Sequence, residues 1–163
     1  MGPIVNQAPK GHIIFDHDGT LVNTESRSFV LFEGMKELLS ELKLQGFKLY
    51  VWTSRPRKST LESLKRFELE SFFYEIYCYD DGLPKPHPMG PEQLTEGISK
   101  NNILHIGDSS IDIDGAKAYG IEVVLACWSG TSQVMNLKEK NQADYVAMNL
   151  RQLLGIIKGK FYV

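Results

Sequence analysis

The sequence of 163 residues has little of several features that mark particular classes of protein. Its only cysteines, Cys78 and Cys127, form no CxxC pair, so no zinc site is indicated, and buried thiols of this kind fit a reducing cytosol. The formal net charge of -2 gives no reason to expect bulk attraction to nucleic acid or membranes. No apolar run approaches the roughly 18 residues of a membrane span. Residues 1–10 lack the apolar segment of a signal peptide, so we expect a cytoplasmic protein with no membrane partner.

Strand-like and helix-like segments alternate along the chain, and no GxGxxG or GxxxxGK[ST] loop for nucleotide binding follows the first strand. The predicted strands are about His12–Asp16, Phe47–Trp52, Tyr74–Tyr79, Ile103–Ile106 and Ile121–Cys127, with Tyr145–Ala147 as a short edge strand. Apolar residues at helical spacing predict helices around 35–42 and 61–67, over 92–99 and 112–119, and after Asn149, a good N-cap. This alternation predicts an α/β, Rossmann-like, doubly wound parallel sheet in three α/β/α layers, one domain over residues 1–163.

Two carboxylates follow the first predicted strand, in the segment Asp16-His17-Asp18-Gly19-Thr20. Side chains at i and i+2 of a strand point to the same side, so Asp16 and Asp18 are expected to face one pocket, and Gly19 permits a sharp turn. Such a pair suits a nucleophile beside an acid/base. The alternative is an ordinary turn, because turns favour Asp and Gly. A calcium loop is a poor alternative, because its first ligand position would fall on Ile14.

A second acidic segment, Gly107–Asp112, follows the fourth predicted strand. Its carboxylates have a simpler explanation as caps of the next helix. If the first and fourth strands are neighbours, however, four carboxylates share one pocket: Asp16, Asp18, Asp108 and Asp112. Because uncompensated charge of this kind is costly, a hard divalent cation is expected, and oxygen ligands favour Mg²⁺.

Two further polar residues follow predicted strands and suit a phosphate. Thr53 ends the second strand with a hydroxyl that can donate to a phosphoryl oxygen, and Lys85 offers a positive charge in a loop stiffened by prolines. Each residue alone has an ordinary explanation, since strand-end threonines and exposed lysines are common. Four such features after successive strands are much less expected by chance.

These segments resemble, in order and spacing, the four motifs of the haloacid dehalogenase-like (HAD) hydrolase superfamily. Asp16–Leu21 resembles the first motif, DxDGTL, Thr53 the second, Lys85 in its KPxP setting the third, and Gly107–Asp112 the fourth. The resemblance extends over nearly the whole chain, because residues 123–128 and 144–154 are similar to the C-terminal part of phosphoglycolate phosphatase-like members.

The resemblance implies a role for each matching residue. Asp16 would attack phosphorus and become an aspartyl phosphate, and Asp18 would protonate the leaving oxygen and then activate water. Thr53 and Lys85 would hold and neutralise the phosphoryl oxygens.

The same resemblance implies how Mg²⁺ would be held. Asp108 would bind the ion directly, together with Asp16 and the backbone carbonyl of Asp18. Asp112 would complete or orient this set of ligands.

Substrate contact is expected just past Thr53, at Ser54 and Arg55, and Arg57 and Lys58 could also contact an anionic substrate. A solvated basic loop is the simpler alternative for these basic residues. Family members with a cap domain between the first motif and the first helix need several times more residues than Leu21–Phe32. The resemblance is therefore to the capless type, with a site open to solvent. Capless relatives use large substrates, borrow a neighbouring subunit as a lid, or bind small sugar phosphates with extended loops.

The function that these residues indicate is Mg²⁺-dependent hydrolysis of a phosphomonoester, of a small molecule or a macromolecule, by a chain that could form a homo-oligomer. One alternative is a phosphotransferase that moves the aspartyl phosphate to another acceptor. Another is a non-catalytic, phosphate-binding regulatory module on the same fold, against which the intact set of motif residues argues.

Overall fold

The computed structural model describes residues 7–129 and 142–162; residues 1–6, 130–141 and 163 of the expected domain lie outside this description. The strands are β1 (His12–Phe15), β2 (Val22–Asn23), β3 (Val30–Leu31), β4 (Lys48–Trp52), β5 (Phe73–Tyr77), β6 (Ile103–Gly107), β7 (Glu122–Ala126) and β8 (Tyr145–Ala147). Six of them form a sheet in the order β5-β4-β1-β6-β7-β8, with every pairing parallel. The doubly wound parallel sheet expected from the sequence is confirmed, and β8 is an edge strand as predicted.

The helices are α1 (Met35–Leu44), α2 (Arg57–Arg66), α3 (Met89–Leu94), α4 (Ser110–Tyr119) and α5 (Leu150–Phe161). Their positions follow from the apolar pattern: α1 buries Met35, Leu38, Leu39 and Leu42, which lie on one helical face. Asn149 caps α5 as predicted, because its side chain accepts a hydrogen bond from the N–H of Gln152. None of the helices in the described ranges is long and apolar enough to cross a membrane.

Two apolar clusters cover the two faces of the sheet. Along β1, Ile13 and Phe15 belong to one cluster and Ile14 to the other, as the alternation of side chains along a strand requires. Leu39 and Leu153 of the helices α1 and α5 lie in the first cluster, and Ile113 of α4 lies in the second. Helices therefore cover both faces, which gives the three layers expected from the sequence.

The order of the strands places a switch point between β1 and β6. From β1 the chain runs outward through β4 and β5, then returns to form β6 on the other side of β1. Ligands of open α/β sheets bind at this kind of crevice, beyond the carboxyl ends of the strands. The segments after β1 and β6 are the two acidic motifs.

Residues 16–34, between β1 and α1, form a small antiparallel hairpin of β2 and β3 and contain no cap domain. The sequence analysis did not predict this hairpin. Other differences are small: α3 begins at Met89 rather than Glu92 and ends at Leu94, and α4 begins at Ser110 rather than Asp112. Cys78 and Cys127 are buried as predicted, but they follow β5 and β7 rather than lying within them.

Candidate active site

Three of the predicted metal ligands meet at the switch point. Asp16 follows β1, and its backbone N–H donates to the carbonyl of Ile106 in β6 at 2.9 Å, which ties the ends of the two strands together. One carboxylate oxygen of each of Asp16, Asp108 and Asp112 lies within 4.8 Å of the others. Asp16 and Asp112 are buried, and Asp108 is partly exposed. We call these three residues the carboxylate cluster.

Lys85 reaches into the cluster from the loop before α3. Its Nζ donates to Oδ1 of Asp16 at 3.0 Å and to Oδ1 of Asp112 at 2.6 Å, and its side chain is 2% exposed. The ring of Trp52, at the end of β4, lies 5.0 Å from the same ammonium group. Lys85 is therefore a buried component of the site. It is not an ordinary exposed lysine, the alternative that the sequence left open.

The pKa values of the three carboxylates are shifted from their usual range. Burial, together with the charge of Asp112, raises the pKa of Asp16 to about 7 although Lys85 opposes the shift. Burial and Asp112 likewise raise the pKa of Asp108 to about 6. Burial also acts to raise the pKa of Asp112, but the contacts of Asp112 with Lys85 and His105 hold that pKa well below its usual range.

The charge and donor atoms of the cluster fit a divalent cation. Three carboxylates carry three negative charges and the Lys85 ammonium carries one positive charge, so the ionised group of four has a net charge of -2. Burial is the main cause of the raised pKa values of Asp16 and Asp108, and the negative charge of Asp112 adds to it. All the available donors are carboxylate oxygens, the ligands that Mg²⁺ prefers.

Asp112 is held in place from two sides. Its Oδ2 accepts the backbone N–H of Ser109 at 3.2 Å and the Ser109 hydroxyl at 2.9 Å, in a capping box at the start of α4. Its Oδ1 accepts from Nε2 of His105 at 2.9 Å, and Nδ1 of His105 lies 2.9 Å from the carbonyl oxygen of Ile14. Asp112 thus combines the predicted capping role with a place in the cluster.

Two glycines allow the acidic segments to approach each other. A Cβ at Gly107 would lie 2.1 Å from Cγ of Asp112, and a Cβ at Gly19 would lie 1.9 Å from Oδ2 of Asp108. Gly19 also has φ of 76°, a conformation that other residues rarely adopt. Both positions require glycine for the carboxylates to lie where they do.

The Asp18 carboxylate lies outside the carboxylate cluster. Its Oδ1 accepts from Nη2 of Arg55 at 2.8 Å and from Nδ1 of His17 at 3.1 Å. Burial acts to raise the pKa of Asp18, but the hydrogen bonds from His17 and Arg55 lower it to well below its usual range. In this arrangement the ionised carboxylate is favoured, and the backbone carbonyl is the part of Asp18 predicted to bind metal.

The other predicted site residues lie on the loop after β4. The buried Thr53 hydroxyl accepts the backbone N–H of Arg55 at 3.0 Å, while Ser54 is exposed. Arg57 pairs with Asp81 instead of standing free for a substrate. Its guanidinium donates to the two carboxylate oxygens of Asp81 at 2.7 and 2.8 Å. The loop therefore presents Arg55 to Asp18, which it contacts at 2.8 Å, and leaves Ser54 exposed.

Two histidines of the site went unrecognised in the sequence. The side chain of His17 was assigned no role from the sequence, and this buried side chain contacts Asp18. His105 was assigned no role and lies against Asp112. The signal for His105 was present in the sequence, because a buried histidine in a central strand needs a polar partner.

Comparison with known proteins identifies the family. Residues 26–126 match the family model of the haloacid dehalogenase-like hydrolases, a stretch that includes Thr53, Lys85, Asp108 and Asp112 and begins after Asp18. The chain belongs to this family.

Similar curated proteins are enzymes that act on phosphates. The chain is 30% identical over 129 residues to pyrophosphatase PpaX of Halalkalibacterium halodurans, an alignment that covers 77% of this chain and 59% of the relative. It is 33% identical over 131 residues to phosphoglycolate phosphatase of Haemophilus influenzae, covering 78% and 57%. The chain thus spans less than three fifths of the length of these relatives.

A solved structure confirms the fold. A predicted phosphoglycolate phosphatase from Haemophilus somnus superposes with a TM-score of 0.81 at 21% identity, over 90% of this chain and 97% of the other.

Proposed function

We propose that this chain hydrolyses phosphomonoesters with Mg²⁺ through an aspartyl phosphate on Asp16. The observation that supports this most directly is the carboxylate cluster with Lys85: three carboxylates within 4.8 Å of one another, and an ammonium 3.0 Å from the proposed nucleophile. Phosphoryl transfer depends mostly on positioning and charge stabilisation, and this group of residues provides both.

Asp16 and Asp18 divide the chemistry between them. A carboxylate oxygen of Asp16 bonds to phosphorus while the bond to the leaving oxygen breaks, and Asp18 gives its proton to that oxygen. Asp18 then takes a proton from water as the water oxygen attacks phosphorus, which releases inorganic phosphate and restores the Asp16 carboxylate. General acid–base help of this kind contributes about 10²–10⁴-fold in rate.

Mg²⁺ would be held by Asp16, Asp108, Asp112 and the backbone carbonyl of Asp18, and it would neutralise charge on the phosphoryl oxygens. Lys85 adds a fixed positive charge beside Asp16, and Thr53 offers a hydroxyl to the phosphoryl group. Spontaneous hydrolysis of phosphate monoesters is among the slowest reactions known, so several such contributions have to act together.

Arg55 and Ser54 are the proposed substrate contacts. Arg55 pairs with Asp18 at 2.8 Å, and this ion pair has to break before Asp18 can carry the proton for the leaving group. An anionic substrate offers Arg55 a competing partner. Arg55 also lines a cavity of about 250 Å³ between α2 and the hairpin, with Phe29, Glu62 and Arg66.

Turnover of p-nitrophenyl phosphate tests the proposal. We expect phosphate release in Mg²⁺, loss of activity in Asp16→Asn, and unchanged activity in Asp114→Asn, an exposed aspartate on α4. If Asp16→Asn keeps more than about a tenth of the activity, a change of about 1.4 kcal/mol in barrier, Asp16 is not the nucleophile. Products formed with added alcohols separate hydrolysis from phosphotransfer, and a protein that binds phosphate without any turnover is a regulatory module.

A further inference from the structure

His17 lies between the two aspartates of the proposed mechanism and is fully buried. Its Nδ1 is 3.1 Å from Oδ1 of Asp18, and its Nε2 is 2.8 Å from the hydroxyl oxygen of Ser63. Ser63 is a buried residue of α2, the helix packed beside the loop that carries Asp18. Two residues that are 46 positions apart in sequence therefore form a connected path from α2 to a carboxylate of the site.

The chemistry of the three groups fixes the direction of both hydrogen bonds. A carboxylate can only accept, so Nδ1 of His17 donates to Asp18. In the neutral ring Nε2 is then the acceptor, and the hydroxyl of Ser63 donates to it. The Asp18 carboxylate therefore selects the tautomer of the His17 ring, and the Ser63 contact fixes the rotation of that ring.

Arg55 contacts the same carboxylate but differs from His17 in two ways. Its side chain is 17% exposed and is proposed to turn toward the substrate, whereas the side chain of His17 is fully buried. The bond from His17 therefore remains when Arg55 leaves Asp18. It holds Oδ1, while Oδ2 receives only a 3.4 Å contact from Arg55.

We propose that His17, itself anchored by Ser63, is the positioning residue that aims Oδ2 of Asp18 at the leaving oxygen. This inference rests on the proposed function. Oδ2 of Asp18 is then the oxygen that transfers the proton, and the role of His17 depends on its side chain. A misplacement of about 1 Å in such a group is enough to cost about 10²-fold in rate.

Positioning of an acid has a signature that structural damage lacks. An alkoxide is a poor leaving group and needs the proton of Asp18 as its bond to phosphorus breaks, whereas p-nitrophenolate leaves well without a proton. Loss of the His17 contact should therefore slow an alkyl phosphate much more than p-nitrophenyl phosphate. Damage to the fold or to metal binding would slow both esters equally.

The experiment measures kcat/KM of the full chain in Mg²⁺ for p-nitrophenyl phosphate and for a simple alkyl phosphate. His17→Gln keeps a polar atom near Ser63 but removes the donor facing Asp18, and His17→Asn keeps a donor near the position of Nδ1. Ser63→Ala removes the anchor with a smaller change. His12→Gln is the control, because His12 is also a buried histidine but lies at the start of β1, where its Nδ1 is 2.8 Å from the Tyr50 hydroxyl.

We expect His17→Gln to lose at least about tenfold more kcat/KM on the alkyl phosphate than on p-nitrophenyl phosphate, which is about 1.4 kcal/mol of selective barrier. Ser63→Ala should show the same selectivity to a smaller degree. His17→Asn should recover part of the alkyl phosphate activity, and His12→Gln should show no selectivity.

Equal losses on both esters in His17→Gln and Ser63→Ala would overturn the inference. If His17→Gln does not fold, as thermal unfolding would reveal, Ser63→Ala decides alone. Wild-type protein that hydrolyses neither ester overturns the proposed function and the inference together, whereas active wild-type protein with unselective variants overturns the inference alone.

Discussion

The ammonium of Lys85 lies 2.6 Å from Oδ1 of Asp112, and both side chains are at most 2% exposed. Lys85 comes from a proline-rich loop after β5, and Asp112 lies in the first turn of α4. The pair therefore joins the loop after β5 to the start of α4 at the carboxylate cluster. Burial acts to lower the pKa of Lys85, but the charges of Asp112 and Asp16 outweigh it and raise the pKa.

Lys85→Met should destabilise the protein strongly in the absence of metal. It keeps most of the apolar stem but leaves Asp16 and Asp112 without their cation, and breaking a buried pair costs about 3–5 kcal/mol. Urea unfolding in chelator measures the loss, and saturating Mg²⁺ should recover part of it because the ion compensates the carboxylates. The exposed Lys58→Met is the control. A loss no larger than the roughly 1 kcal/mol of an exposed pair would contradict this account.

Mg²⁺ should be required for turnover and should bind through the carboxylate cluster. We expect chelation with EDTA to abolish hydrolysis of p-nitrophenyl phosphate and added Mg²⁺ to restore it. Mg²⁺ should also raise the thermal midpoint of the wild type, because a ligand that binds the folded state stabilises it. Asp108→Ala should weaken both effects. Full activity in EDTA would contradict the metal assignment, since the cluster would then lack a compensating charge.

The positions of the proposed nucleophile and of the metal ligands were predictable from the sequence for a simple reason. Asp16, Asp108 and Asp112 follow strands that end at the same edge of a parallel sheet, so strand prediction alone brings them together. Asn149 and Gly120 likewise mark helix ends through local chemistry, as an N-cap and a left-handed C-cap.

Two features were not predictable in the same way: the contact of His17 with Ser63, and the hairpin that β2 and β3 form. His17 meets Ser63 across 46 positions, and no local pattern specifies which side chain of α2 faces it. Each strand of the hairpin has two residues, too few for an alternating pattern to be recognised. The limits of α3 were misjudged because Met89-Gly90-Pro91 resembles a turn, whereas proline is compatible with the first turn of a helix.

Gly107→Ala should disrupt the cluster. The added Cβ would lie 2.1 Å from Cγ of Asp112, so that side chain has to move away from Lys85 and His105. We expect lower stability, weaker stabilisation by Mg²⁺ and loss of turnover, measured by urea unfolding and phosphate release. Gly155→Ala is the matched control, because Gly155 is an exposed residue of α5 and nothing lies within 4 Å of its added Cβ. It should be neutral or stabilising by about 0.5–1 kcal/mol. Equal effects at both positions would contradict the packing argument.

Lowering the pH should reduce the contribution of His12 to the free energy of unfolding. Burial and the nearby charge of Lys48 lower the pKa of His12, so His12 takes up a proton less readily in the folded protein than in the unfolded chain. As the pH falls through about 6.5, the ordinary pKa of histidine, the unfolded chain binds more of this proton than the folded chain does, and the free energy of unfolding therefore falls. The difference in this free energy between wild type and His12→Gln should shrink from about pH 7.5 to pH 5.5. A constant difference would contradict the argument, and His87→Gln, at an exposed histidine, is the control.

Access to the site gives the last prediction. The segment between β1 and α1 forms a hairpin with no cap, so these residues give Asp16 no domain that closes over it. Exclusion of water strengthens electrostatic catalysis, and an open site has to obtain it from a bulky substrate or from a partner chain. We therefore expect KM values above about 1 mM, the upper end of the usual range, with little selectivity among small phosphates. Steady-state kinetics over a panel of small phosphates and phosphopeptides, with sedimentation to establish the oligomeric state, measures both properties. Tight and selective turnover of one small metabolite by a monomer would show that an open site needs neither a bulky substrate nor a partner.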